Sequence, residues 1–239
     1  MSRRAAFSTS TVNLDGLFAY YRFNNNITDQ VGGYNGTIIS PSVYQAGKSG
    51  NSLHTPNNQN GGAYVPDNDV FSFTDGVNDL PFSISFYGKK NINRPTDLQF
   101  FVSKLGPTAN NLEYQIYWSL TQFRFLIRDN INGGYISKDY PFSMINGQWY
   151  HIVCTYNGNG SHTGMNLYID KTSVGSGALT GTYVKMVNTS ARVDIGHAQF
   201  TPTFSLNGNI DGLGFWNREL TPNEVQSIYN KQRGGGELV

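Results

Sequence analysis

Short runs in which apolar and polar residues alternate recur along almost the whole chain, and most of them end at a Gly or Asn. Successive side chains of a strand point to opposite faces, so a period of two marks a strip buried on one side. LFAYYRF (17–23), SISFYGKK (83–90), LQFFVSKL (98–105), LEYQIYWSL (112–120) and QFRFLIRD (122–129) carry this pattern. So do QWYHIVCTYNG (148–158), MNLYIDKTSV (165–174), ARVDIGH (191–197) and NIDGLGFWN (209–217). The runs at 112–120 and 122–129 predict a hairpin joined near Thr121, and those at 148–158 and 165–174 predict a second. Alternation directs Leu112, Tyr114, Ile116, Trp118 and Leu120 inward from the first run, and Phe123, Phe125 and Ile127 from the second. About ten short strands joined by polar turns predict an all-β fold, a two-sheet antiparallel jelly-roll sandwich.

One short C-terminal helix is expected. Thr221 is a good N-cap, Pro222 suits the first helical position, and Glu224 completes a T-x-x-E capping box. Val225, Ile228 and Tyr229 give the helix an apolar face, which should pack against one end of the sandwich. A single jelly-roll domain is expected over 15–231, with a polar arm before it (1–14) and a tail after it (232–239). Arg3, Arg4 and Phe7 are the arm residues expected to dock on another subunit.

The net charge of +1 and the lack of any Lys/Arg-rich run argue against nucleic acid as a partner. No apolar run is long enough to span a membrane, so no membrane insertion is expected. MSRRAAFSTSTVN has no apolar h-region and does not read as a classical signal peptide. Cys154 is the only cysteine and lies in an apolar run, which predicts a buried thiol.

Three segments in order resemble a known family. LFAYYRFNNNITDQVGGYNGTI resembles the opening of laminin G-like (concanavalin A-like) jelly-roll domains. QWYHIVCTYNG followed by MNLYIDKTSVGSG resembles their central hairpin, and GNIDGLGFWNRELTPNEVQSIYN their last strand and closing helix. The resemblance covers about residues 14–230 and implies the fold. It does not fix the function, because this fold hosts lectins, glycanases, adhesion modules and virion proteins. Two departures stand out: the family's Asp-Glu in the last strand is Asp211–Gly212 here, and its Asp-Gly turn is Asp170–Lys171.

Asp211 poses a question. In a regular strand it shares a face with Leu213 and Phe215, so it should point into the core with them. A buried carboxylate must be paired. Backbone N–H groups or an Arg would serve. So would a structural Ca²⁺ shared by Asp211, Asp29 and Asn24, since calcium takes six to eight hard oxygens. The resemblance implies such a tie between first loop and last strand.

The residues needed for glycan hydrolysis are not evident, so no enzyme is expected. The hydrolytic members of the superfamily place Glu, Asp and Glu at alternate positions on one strand. The four glutamates here (Glu113, Glu219, Glu224 and Glu237) do not. Asp67 and Asp69 alternate but follow Pro66 in the polar stretch 55–69, which reads as a rim loop. His151 reads as structural, and the other histidines have no metal-ligand spacing.

Binding remains. Gln115, Tyr117, Arg124 and Arg128 should face outward as a strip able to hold a sugar, or should form an ordinary solvated or subunit-covered face. The expected protein is a non-catalytic structural or binding protein. One setting is a virion surface or decoration protein, its partners being capsid or tail subunits and cell-surface glycan. The other is a secreted or cell-surface carbohydrate-binding adhesion module.

Overall fold

The computed structural model describes residues 12–56, 60–92 and 98–239, and resolves the alternating runs into sixteen strands and one α-helix. The arm residues Arg3, Arg4 and Phe7 lie outside the described residues. In chain order the strands are β1 (Leu17–Tyr21), β2 (Thr37–Ile39), β3 (Val43–Ala46), β4 (Asn51–Thr55), β5 (Gly62–Val65) and β6 (Phe82–Lys90). Next come β7 (Leu98–Leu105), β8 (Leu112–Ser119), β9 (Gln122–Arg128), β10 (Tyr135–Pro141) and β11 (Tyr150–Tyr156). The last are β12 (Met165–Ile169), β13 (Thr172–Val174), β14 (Ser176–Thr180), β15 (Val193–Ile195) and β16 (Gly208–Trp216), before helix α1 (Pro222–Gln232).

Two antiparallel sheets form. The first runs β13-β12-β11-β6-β16-β4-β3, with β1 also paired to β16, and the second runs β14-β10-β9-β8-β7-β15-β5-β2. Between them lies one apolar core. Ile84, Phe86, Ile152, Cys154 and Phe215 of the first sheet share it with Phe101, Ile116, Trp118, Phe125 and Ile195 of the second. Cys154 is a free, buried thiol, as its sequence context predicts.

The first hairpin is as expected: Ser119 pairs with Gln122 across Leu120–Thr121. Tyr114, Ile116, Trp118, Phe123, Phe125 and Ile127 all enter the core. Two residues of the inward set do not. Leu120 sits in the turn at φ +33 and is exposed. Leu112 joins an apolar cluster outside the main core. A register shift places Lys104 opposite Tyr114 but Leu105 opposite Leu112, so Glu113 is the extra residue and the alternation breaks there.

The run 165–174 is two strands, split by Asp170 (φ +48) and Lys171 (φ +69). Positive φ at both central residues is the geometry that matches a tight hairpin to strand twist. The stretch 55–69, expected to be a rim loop, contains β5, which lies between β15 and β2. A four-residue strand is too short to show a period.

The question posed by Asp211 is answered by a β-bulge. The register of β16 against β6 shifts between Asp211 and Gly214, and Gly212 takes φ +58. The extra residue lets Ile210, Leu213 and Phe215 all enter the core. Asp211, paired opposite Tyr87, turns to the outer face instead of sharing the inner one. The same stretch is where the neighbour of β16 changes from β4, which ends its pairing at Ile210, to β1, which begins at Leu213.

Helix α1 lies over the outer face of the first sheet rather than at an end of the sandwich. Its Val225 and Ile228 pack with Tyr20, Val153, Tyr168 and Trp216 in a second apolar cluster. Those outward strand residues are large and apolar, so they need a cover. The capping box is complete: Glu224 N donates to Thr221 Oγ1 at 3.3 Å, and Thr221 N donates to Glu224 Oε2 at 2.8 Å. His151 lies beneath this cover, its Nε2 3.0 Å from the Ser85 hydroxyl and its ring beside Tyr87 and Tyr229.

Gly212→Ala would force a side chain into the left-handed region, with its Cβ 2.8 Å from Gln232 Nε2. It should lower stability by about 1–3 kcal/mol, read as a lower urea midpoint at unchanged slope. Burial pushes the His151 pKa down to about 3, and burial with nearby Arg192 pushes His197 down to about 4. Both are depressed below the unfolded value, so the native state resists protonation. Their stabilisation is full above about pH 6.5 and is lost as pH falls towards 4, at up to about 1.4 kcal/mol per pH unit for each ring. Urea titrations across that range should show the loss, and a shallower pH slope in His151→Gln.

Candidate functional site

The strip predicted on the second sheet is brought together but is not exposed. Gln115, Tyr117 and Arg128 line one cavity of about 140 Å³ on its outer face, with Phe100, Leu112, Phe200 and Thr201. Tyr117 is only 5% exposed. Its ring is 5.1 Å from that of Phe100 and 5.8 Å from the Arg124 guanidinium carbon, so it offers no free face to a sugar. The segment that follows β15 brings Ala198 and Phe204 onto this face. Arg124 is committed as well, held by Asp139 at 2.8 and 3.1 Å and donating to the Tyr117 hydroxyl at 2.9 Å. Arg128 Nε and Thr201 Oγ1 are buried without a hydrogen-bond partner.

The acids that a glycanase would use serve structure here. Glu113 is fully buried, 2.9 Å from the Lys104 ammonium, and accepts from Thr189 N and its hydroxyl. Asp67 meets the same ammonium at 2.8 Å.

The residues of the expected calcium tie fall into separate settings. The Asp29 carboxylate accepts four backbone N–H groups, from Tyr20, Val31, Gly32 and Tyr34, at 2.8–3.0 Å. Asn24 Oδ1 accepts from Asn51 N at 2.8 Å. Asp211 Oδ2 accepts from Lys48 N at 2.7 Å and Ser49 N at 2.9 Å, in the turn between β3 and β4. Gly47 is required there, because a Cβ would lie 2.6 Å from that oxygen. Asn24 and Asp211 thus bracket one turn, while Asp29 closes a different loop and has no oxygen to spare. Asp211 Oδ1 has no partner, and burial pushes the carboxyl up to about 7 against its two backbone donors. Among the described residues, no three His, Cys, Asp or Glu side chains are grouped as metal ligands.

Another open groove lies elsewhere, and sequence reading did not find it. A groove of about 510 Å³ runs between the β12–β13 hairpin and the start of α1. Pro222 gives it exposed apolar surface above Tyr168 and Leu220, which are 5% and 1% exposed, and Asn166, Lys171, Ser173, Glu219 and Thr221 give it hydrogen-bonding groups. Outward alternation on β12 presents Asn166 and Tyr168. The turn between β12 and β13 presents Lys171, held at φ +69 where glycine is favoured. Its ammonium lies 5.6 Å from the centre of the Tyr229 ring. Glu219 Oε1 accepts from Asn166 Nδ2 at 3.2 Å and from the Thr155 hydroxyl at 3.4 Å. The signal that could have located this site is the departure at Asp170–Lys171, a long cation at a position strained for any side chain.

A family model described as the concanavalin A-like lectin/glucanases superfamily (laminin G type) matches residues 56–226. Comparison with curated protein sequences gives no match. Among solved structures, domain 4 of AbnA is similar with a TM-score of 0.66 at 22% identity, covering 89% of this chain and 98% of that one. That protein is a GH43 extracellular arabinanase from Geobacillus stearothermophilus, solved in complex with arabinotriose. The binding domain of Paraclostridial Mosquitocidal Protein 1 is similar with a TM-score of 0.70 at 15% identity, covering 93% of this chain and 55% of that one. The receptor binding domain of botulinum neurotoxin type G is similar with a TM-score of 0.66 at 14% identity, covering 91% and 52%. The chain therefore spans about half of each of these toxin domains. With the fold and the family match in agreement, the chain belongs to the concanavalin A-like lectin/glucanase superfamily.

Proposed function

We infer that this member of the superfamily is a non-catalytic carbohydrate-binding module used for attachment, and that its site is the groove between the β12–β13 hairpin and α1. The observation that carries this reading is the make-up of the groove. Its size of about 510 Å³ suits a short oligosaccharide. A sugar presents apolar C–H faces and a dense set of hydroxyls. The exposed ring of Pro222 matches the first, and Asn166, Lys171, Ser173, Glu219 and Thr221 match the second. The arabinotriose bound in the AbnA complex lends support from a neighbour of the same fold.

Binding is favoured over cleavage by the count of acids. Glycoside hydrolysis ordinarily uses two carboxylates about 5–9 Å apart across the scissile bond. Among the described residues lining the groove, Glu219 is the one carboxylate, and it is already engaged by Asn166 and Thr155. Display on a virion or cell surface would put such a groove to use in attachment.

A glycan array with the purified protein tests the reading, using two variants. Lys171→Gly should relax the turn and raise stability by about 1 kcal/mol. It should also weaken glycan binding about tenfold, by removing a charged hydrogen-bond donor. Arg128→Ala, on the other sheet, should leave binding unchanged. Loss in Arg128→Ala with retention in Lys171→Gly would move the site to the second sheet. Silence of the folded parent protein on every glycan would overturn the reading.

A further inference from the structure

The cavity of about 140 Å³ on the outer face of the second sheet gathers polar groups that the fold leaves unsatisfied. Arg128 Nε and the Thr201 hydroxyl are buried without a hydrogen-bond partner, and both residues border this space, with Gln115 beside them. Apolar walls come from Leu98, Phe100 and Leu112, and from Phe200, which is 41% exposed.

Arg128 differs from its fellows. Arg124, Arg192 and Arg218 each hold a carboxylate at 2.7–2.8 Å. Arg128 holds none among the described residues, and Glu113 on the adjacent strand turns through its bulge to Lys104 instead. The Tyr135 ring, 5.4 Å from the Arg128 guanidinium carbon, steadies the cation without pairing its charge. Burial, with the neighbouring Arg124, works against the protonated form. Thr201 differs too. It precedes the 3-10 turn Pro202–Phe204, a position from which Asn68 and Ser161 cap the other two described 3-10 turns with their side chains. The Thr201 side chain makes no capping bond.

A buried cation without a counter-charge is costly to keep. Asp139 already neutralises Arg124, so one positive charge is left over on this face. A planar carboxylate matches the guanidinium fork, and a hydroxyl can donate to it as well. An apolar protein cavity of about 150 Å³ holds one benzene ring, which sets the size of the body that fits beside that charge.

We propose that this cavity is a second ligand site, separate from the groove, and that it takes a small monocarboxylate with a ring-sized apolar body. The carboxylate would pair with Arg128 and accept from Thr201, and the body would lie against Leu98 and Phe200. A sugar suits the cavity poorly, because the Tyr117 ring has no free face. A phosphate brings a second charge with no second free cation to meet it.

Calorimetric titration of the full chain with benzoate tests this, beside benzyl alcohol (the ring without the charge) and acetate (the charge without the ring). Benzoate should bind saturably, one per chain, at least about tenfold more tightly than either, and should raise the melting temperature. Arg128→Met keeps an apolar stem and removes the charge. It should abolish the benzoate response and raise the melting temperature of the ligand-free protein, since an uncompensated buried charge has gone. Thr201→Val should weaken benzoate about threefold, and Phe200→Ala, at an exposed position, about fivefold. A folded parent that ignores millimolar benzoate would overturn the proposal, and a loss of stability in Arg128→Met would then assign the guanidinium to the fold. Equal affinity for benzoate and benzyl alcohol would overturn it by removing Arg128 from recognition, and acetate bound as tightly as benzoate by removing the apolar body. Binding undiminished in both Arg128→Met and Phe200→Ala would place benzoate elsewhere and overturn it too.

Discussion

The ends of this sandwich depend on buried carboxylates that collect backbone N–H groups. Sheet ladders satisfy the strands, but the connecting loops must satisfy their own polar groups wherever they are buried. Asp29 gathers four N–H groups and so fixes the loop after β1. Asp129 takes N–H groups from Ile131, Asn132, Val184 and Lys185, joining the β9–β10 connection to the segment before β15. Asp79 receives the hydroxyls of Tyr156 and Tyr183 and the N–H of Met186. A carboxylate suits these places because each oxygen accepts more than one bond and charge shortens them. With low overall charge in the chain, many of its acids are spent this way.

That economy bears on function. Acids tied into loops are withdrawn from chemistry, as Glu113 and Asp67 show around Lys104. The outer faces are also partly covered, one by α1 and the tail and the other by the segment carrying Ala198 and Phe204. The open groove lies at the margin of the first cover, where β12 and β13 run out from under α1. Rigid strands hold its floor and a strained turn holds its rim, which keeps ligand-facing groups in place without a long loop.

Much of the fold was legible because the long strands are strictly periodic. β8 and β9 could be placed with their inward residues, and the capping box at Thr221 marked the helix to the residue. The edge strands β2, β3 and β14 were not legible, being only three to five residues long, and β13 was read as the end of a single longer strand. Two of the register shifts were the deeper obstacle. An extra residue at Glu113 or Gly212 reverses the alternation with no change in composition, so Leu112 and Asp211 each turned up on the opposite face from the one expected. Only Gly212 carried a hint, since glycine inside a strand often marks a bulge. The strip at Gln115, Tyr117, Arg124 and Arg128 was correctly gathered on one face. Its burial could not be foreseen, because the cover comes from residues some seventy to ninety positions later in the chain. The groove joins β12 to α1 across about fifty residues, a proximity that no local pattern encodes.

An apolar cluster fills the outer face of the first sheet beneath α1. Val12 and Leu14 pack against it from one direction along the chain, and Leu238 is buried in it from the other. The two extremities of the described fold therefore meet on one patch, on the far side of the first sheet from the core. A domain built like this can be grafted into a surface loop of an unrelated host with short joints, or cut open elsewhere and rejoined end to end, without disturbing the strand order. It is portable as a cassette, with both joints leaving from one hydrophobic patch.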